Sequence, residues 1–120
     1  MKTVICDIDG TLTKYMPGGM RDIVEREHEI LPGVLGKMRN WESKGCRIIL
    51  ITGRRESVRE RTESELRRLG IPFDILLMGY ADTGRVLIND ISPNLGNKAH
   101  AVNVDRDAGM DTIDWEEIGL

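Results

Sequence analysis

Three short runs of aliphatic and β-branched residues, Thr3-Val4-Ile5-Cys6, Arg47-Ile48-Ile49-Leu50-Ile51 and Phe73 to Met78, are separated by segments whose apolar residues recur with helical period. Strands that alternate with helices build a mostly parallel sheet with helices packed on it, so the pattern predicts an α/β domain. A chain of 120 residues, 40% of them apolar, is one domain's worth of sequence. At that length folding buries roughly two-thirds of the exposed surface, enough for a core without disulfides or structural metal.

The segments between the strands carry their own start and stop signals. Pro32 stands at the start of a predicted helix over Gly33 to Lys44, whose residues Val34, Leu35, Met38 and Trp41 share a face and which Gly45 ends. A second helix is predicted from Glu56 to Leu69, with Val58, Thr62, Leu66 and Leu69 on one stripe and Gly70 before Pro72 as its stop. Residues 13–31 are punctuated by Gly and Pro and read as a short insertion with at most a short helix over Arg21 to His28. Arg85-Val86-Leu87-Ile88 and Ala101 to Val104 are the predicted fourth and fifth strands, and residues 105–120 form an acidic tail with a short helix around Trp115. The whole reads as a single Rossmann-like three-layer domain over residues 1–120, with about five mostly parallel strands.

The formal charge of −3 gives no general attraction to nucleic acid. The basic stretch from Arg54 to Arg68, six arginines against four glutamates, reads as a solvated helix face. Cys6 and Cys46 sit in apolar runs and read as small buried hydrophobes, with no CxxC pair for a metal or redox site. No apolar run approaches the roughly 20 residues that span a bilayer, and Met1 leads straight into a strand, so the expectation is a cytoplasmic protein without a membrane partner. His28 and His100 belong to no ligand cluster and read as structural or exposed. Trp41 reads as core, and Trp115 as the residue that packs the tail onto the domain.

Ligands of open parallel sheets bind outside the carboxyl ends of the strands. The first run ends in Asp7-Ile8-Asp9-Gly10-Thr11, the second in Thr52-Gly53-Arg54 and the fourth in Asn89-Asp90. Any one of these alone reads as a turn or a helix cap, but together they deliver carboxylates and a hydroxyl to one rim. Two aspartates at i and i+2 suit a site where one attacks or binds metal while the other acts one residue-pair further out. A carboxylate attacks phosphorus poorly unless a divalent cation screens it and the phosphoryl oxygens, which gives Asp90 a role. Thr52-Gly53 ahead of a helix supplies a hydroxyl and free amides for an anion.

Val4-Ile5-Cys6-Asp7-Ile8-Asp9-Gly10-Thr11-Leu12, together with Ile49-Leu50-Ile51-Thr52-Gly53-Arg54, resembles the haloacid dehalogenase (HAD) superfamily of phosphohydrolases. The likeness runs from about Thr3 to Val104, in the family's order of strands. It implies an aspartyl-phosphate on Asp7, general acid and base work by Asp9, and Mg²⁺ held by Asp7, Asp9 and Asp90, with Asn89 as a further or substitute ligand. Thr52, with Gly53 and Arg54, would then hold the phosphoryl group. Because the dehalogenases lack the second Asp, Asp9 favours phosphate chemistry. The family's basic residue ahead of strand four is missing, since Met78-Gly79 is followed by Tyr80; Arg85 and Lys98 are the two candidates to replace it. With no large cap the site is open, which suits a large substrate such as a protein or a nucleic-acid end, or a homo-oligomer whose neighbour supplies a lid. The stretch Thr52 to Ser57 with Ile71 to Met78 is similar both to polynucleotide 3′-phosphatases and to sugar-phosphate phosphatases. The alternative is a catalytically weak or inactive phosphate- or metal-binding module.

Overall fold

The computed structural model describes residues 2–81 and 83–120. Three strands, β1 (Thr3–Cys6), β2 (Arg47–Thr52) and β3 (Ile75–Met78), form a parallel sheet in the order β1-β2-β3. Cys6 lies opposite Leu50, and Thr52 opposite Met78, so the three strands end at a common rim. Helix α1 (Met20–Glu25) lies in the insertion, α2 (Val34–Ser43) links β1 to β2, and α3 (Arg59–Leu69), entered through a 3₁₀ turn at Glu56–Val58, links β2 to β3. The fold is a Rossmann-like α/β arrangement.

Strand β2 alternates, with Ile48, Leu50 and Thr52 buried and Ile49 and Ile51 half-buried on the other face. Against it packs α2, which presents Val34, Met38 and Trp41 inward, in keeping with their helical spacing. Gly45 follows α2 at φ 81°, a left-handed conformation that a side chain would strain, and Cys46 N–H returns to the Trp41 carbonyl at 3.0 Å to close the helix end. Trp41 and Trp115 meet edge to face with centroids 5.2 Å apart. The indole N–H of Trp115 donates to the Met110 carbonyl at 2.9 Å, and Lys37 and Lys44 both reach the Leu120 carbonyl oxygen. The tail is thus packed down by Trp115, and its expected short helix is a 3₁₀ turn at Glu116–Ile118.

The strand count differs from the expected five. Residues 85–88 and 101–104 carry no regular structure, and Val86 and Ile88 are 88% and 89% exposed. A short hairpin pairs β4 (Ile91–Ser92) with β5 (Gly96–Asn97), and isolated bridges join Thr13 to Asp9 and to Ile30. An apolar run signals a capacity for strand, and only a neighbouring strand edge in the right place realises it; here the chain leaves the sheet at Gly79. The insertion helix is also shorter than expected, six residues from Met20. No helix among the described residues is long and apolar enough to cross a membrane.

Trp41 is 1% exposed and joins α2, β2 and the tail. Trp41→Ala is expected to lower unfolding free energy by about 3–5 kcal/mol. Urea denaturation followed by circular dichroism measures it, and a loss under about 1 kcal/mol would show that the tail does not pack on this residue.

Candidate active site

Backbone alternation sets the first half of the site. Asp7, Ile8 and Asp9 continue the two-residue period of β1, and because Ile8 is fully buried, both neighbours face the other way, into the rim. The Ile8 carbonyl then accepts amides from Thr11, Leu12 and Thr13 at 2.8–3.2 Å, and the buried Leu12 anchors the turn. Gly10 makes that turn at φ 84°, and a Cβ there would stand 3.2 Å from Cγ of Arg106. The second half comes from β2. Thr52 is 1% exposed, and its hydroxyl accepts the Arg54 N–H at 3.1 Å. Beyond it, Gly79 N–H donates to the Arg54 carbonyl and Tyr80 N–H to the Thr52 carbonyl, so the loops after β2 and β3 are stitched together.

These loops enclose an open cavity of about 560 Å³, lined by Asp7, Asp9, Gly10, Thr11, Thr52, Gly53, Arg54 and Arg85. Tyr15, Met20, Ile23 and Arg106 line it as well. Asp7 accepts from the Thr11 hydroxyl at 3.3 Å and from Arg85 Nη1 at 3.2 Å. Burial raises its carboxyl above the ordinary value, and the Arg85 charge opposes that shift without cancelling it.

Asp9 is held quite differently. Arg54 grips its carboxylate through two parallel bonds, Nε to Oδ2 at 2.9 Å and Nη2 to Oδ1 at 2.7 Å. The remaining Arg54 donors go to the Thr62 hydroxyl at 3.1 Å and towards Glu65 at 3.6 Å. Glu65 in turn meets Nδ1 of His28 at 2.7 Å, with all three side chains of this chain almost wholly buried. Arg54 therefore spends most of its donors on protein and holds Asp9, where a phosphate ligand was expected.

Residues from the fourth run fall elsewhere. Asp90 is exposed and pairs with Lys98, and neither these two nor Asn89 lines the cavity. Without a fourth strand beside β1, nothing carries residues 89–90 to the rim, and Lys98 is occupied outside it. Arg85 is the candidate cation that does reach Asp7. Among the described residues no three His, Cys, Asp or Glu side chains converge on a metal-sized site. The donors at the rim are carboxylate oxygens, which suit a hard cation such as Mg²⁺ in kind.

Glu65, His28, Tyr15 and Arg106 were not visible as site residues in the sequence. For Glu65 a signal existed: it lies three residues after Thr62, on the same inward stripe of α3. His28, read as structural or exposed, is buried on Glu65, and His100 is exposed. Tyr15 and Arg106 are 91 positions apart in an insertion and an acidic tail, and no local pattern links them.

A sequence profile described as "PITM 1-3, LNS2 domain" matches residues 4–92. The chain belongs to the LNS2 domain family. No curated protein matches it. Among solved structures, this LNS2 chain is similar to a chain of the Pnkp1/Rnl/Hen1 complex at 31% identity and a TM-score of 0.54, over 71% of its own length. It spans 30% of that chain, and the same assembly is described elsewhere as an RNA repair complex. A Vibrio cholerae protein aligns at 22% identity and TM-score 0.53, over 74% of this chain and 80% of that one, and shows the fold. A D,D-heptose 1,7-bisphosphate phosphatase from B. bronchiseptica, complexed with magnesium and phosphate, aligns at 18% identity and TM-score 0.49 over 69% of this chain and 52% of that one.

Two outcomes are expected from this geometry. Because the folded pKa of Asp7 lies above its unfolded value, the folded state holds the proton more tightly. Stability from this group is then full below the unfolded pKa and declines as pH rises through the folded one. Asp7→Asn should gain stability over wild type across the acid range and keep a level advantage above it, read by thermal melts from pH 3 to 8; an advantage that shrinks with rising pH would reverse the sign. The Cys6 thiol, pushed up to about 12 by burial and by the Asp7 charge, should resist iodoacetamide at pH 8 while half-buried Cys46 is modified first. Peptide mapping after brief alkylation checks the order.

Proposed function

We propose that this LNS2 domain is a Mg²⁺-dependent phosphoric monoester hydrolase that works through an aspartyl-phosphate on Asp7. The observation that carries the reading is the pair of rim carboxylates in unlike surroundings: Asp7 faces the cavity and a partly exposed Arg85, whereas Asp9 is locked by a buried guanidinium. Two acids held in different environments are what a nucleophile and a proton-transfer group need. The likeness to the RNA repair chain at 31% identity supports phosphate chemistry.

In this reading Asp9 turns from Arg54 in its protonated form, an Asp7 oxygen attacks phosphorus in line, and the bond to the leaving alcohol breaks as Asp9 gives that oxygen its proton. Asp9 then takes a proton from a water that attacks the same phosphorus, releasing phosphate and restoring Asp7. The Thr52 hydroxyl and the Gly53 amide hold phosphoryl oxygens, and Arg85 swings from Asp7 onto the phosphoryl group as the nucleophile is consumed. Asp7 through its carboxylate and Asp9 through its backbone carbonyl would hold Mg²⁺, which supplies charge screening between carboxylate and phosphoryl oxygens. Asp90, paired with Lys98 outside the cavity, is not part of the donor set this arrangement offers. The substrate class is a sugar phosphate or a polynucleotide 3′-phosphate.

A second reading, a phosphate-binding module without turnover, is favoured by the engagement of both carboxylates by arginines. Wild type and Asp7→Asn assayed on a panel of sugar phosphates and 3′-phosphorylated oligonucleotides, with Mg²⁺ and with chelator, decide between them. The expected result is turnover that needs the metal and falls at least about 10³-fold in the variant. Undiminished turnover in Asp7→Asn overturns the mechanism, and silence across the panel with retained phosphate binding selects the module.

A further inference from the structure

The cavity is larger than a phosphoryl group needs, and its charged side chains are not all matched. Asp7 is matched by Arg85 and Asp9 by Arg54. Arg106, which also lines the cavity, makes no ion pair among the described residues; its guanidinium instead lies 4.0 Å from the centre of the Tyr15 ring. Among the described residues it is the arginine of the lining that has no carboxylate partner.

Arg106 is exposed, but the backbone beside it is anchored. Asp107 N–H donates to the Gly10 carbonyl at 2.9 Å, and the Asp107 carboxylate accepts Tyr15 N–H at 2.7 Å. Asp107 does so at φ 65°, a conformation that Asp tolerates better than most residues. Gly10, without a Cβ, lets the Arg106 stem cross directly over the motif turn. The motif turn, the insertion just after it and the distant tail thus converge to set one guanidinium in the cavity lining. A planar guanidinium backed by an aromatic face keeps its outer N–H groups free for two parallel bonds to an oxyanion.

We propose that Arg106, supported by Tyr15, forms a subsite for a second phosphate group on the leaving alcohol, so that the preferred substrate carries two anionic groups, one cleaved on Asp7 and one retained. This rests on the hydrolase reading above and adds the substrate's second anchor. A bisphosphorylated small molecule and the last phosphodiester of a 3′-phosphorylated nucleic-acid end both supply that chemistry.

The test measures kcat/KM with Mg²⁺ for propyl phosphate, propane-1,3-diyl bisphosphate and a 3′-phosphorylated dinucleotide, on wild type, Arg106→Lys and Arg106→Gln. Wild type should prefer one or both doubly anionic esters over propyl phosphate by about 10- to 100-fold, the range of a charge-assisted hydrogen-bonded contact. The preferred ester tells the small-molecule source from the nucleic-acid one. That ratio should collapse towards one in Arg106→Gln and survive in part in Arg106→Lys. A wild-type ratio near one overturns the proposal, as does a ratio unchanged in both variants, since a purely structural arginine lowers all rates together. If wild type turns over none of the three esters, the hydrolase reading fails separately. Calorimetric binding of propane-1,3-diyl bisphosphate against propyl phosphate then reads the subsite: an Arg106-dependent preference upholds it and equal affinities overturn it.

Discussion

The bidentate pair between Arg54 and Asp9 is the contact on which the geometry of the rim depends. Arg54 is 4% exposed, and a guanidinium taken that far from water is tolerable only with its donors satisfied. Asp9, Thr62 and Glu65 satisfy it, and Glu65 is itself fixed by His28 from the insertion. Pairs of this kind add little net stability against an apolar replacement, yet removing one partner strands the other and costs about 3–5 kcal/mol. The pair therefore specifies more than it stabilises: it fixes the direction of the Asp9 carboxylate, joins β1's motif to α3, and ties the insertion to both.

That network also explains why the two aspartates of one short motif differ. Ile8 sends both into the rim by simple alternation, so sequence position alone makes them equivalent. The difference arises from what stands behind each. Asp9 backs onto α3 and its buried arginine, whereas Asp7 meets a partly exposed Arg85 that arrives from a segment without regular structure. One carboxylate is held firmly and the other by a partner free to move.

Much of this was legible in the residues. Strands β1, β2 and β3, both linking helices and the polar strand ends at one rim followed from period and punctuation, because each is a local pattern that tertiary packing reinforces. The strands expected at Arg85 to Ile88 and Ala101 to Val104 did not form. An isolated aliphatic run carries propensity but says nothing about which edge it will find, and the reach of Asn89, Asp90 and Lys98 to the rim hung on that edge. Arg54 was legible as a rim residue but not as a buried one, since its partners Thr62 and Glu65 lie on a helix whose charged face dominates the composition. Tyr15 and Arg106 were illegible because their juxtaposition depends on where the tail returns.

The return of the tail carries a consequence for how the domain is made and broken. With Asp107 bonded to Gly10 and Tyr15, part of the cavity lining is supplied by a stretch of chain synthesised long after the catalytic aspartates. Closing a loop of that length is entropically slow, so a nascent chain acquires its sheet and its motif turn well before it acquires a complete pocket. During that interval the rim carboxylates face solvent without Tyr15 and Arg106 fixed beside them. A single backbone cut near residue 105 in the finished protein would slacken the contacts of Arg106 and Asp107, while the tail beyond stays seated through Met110 and Trp115.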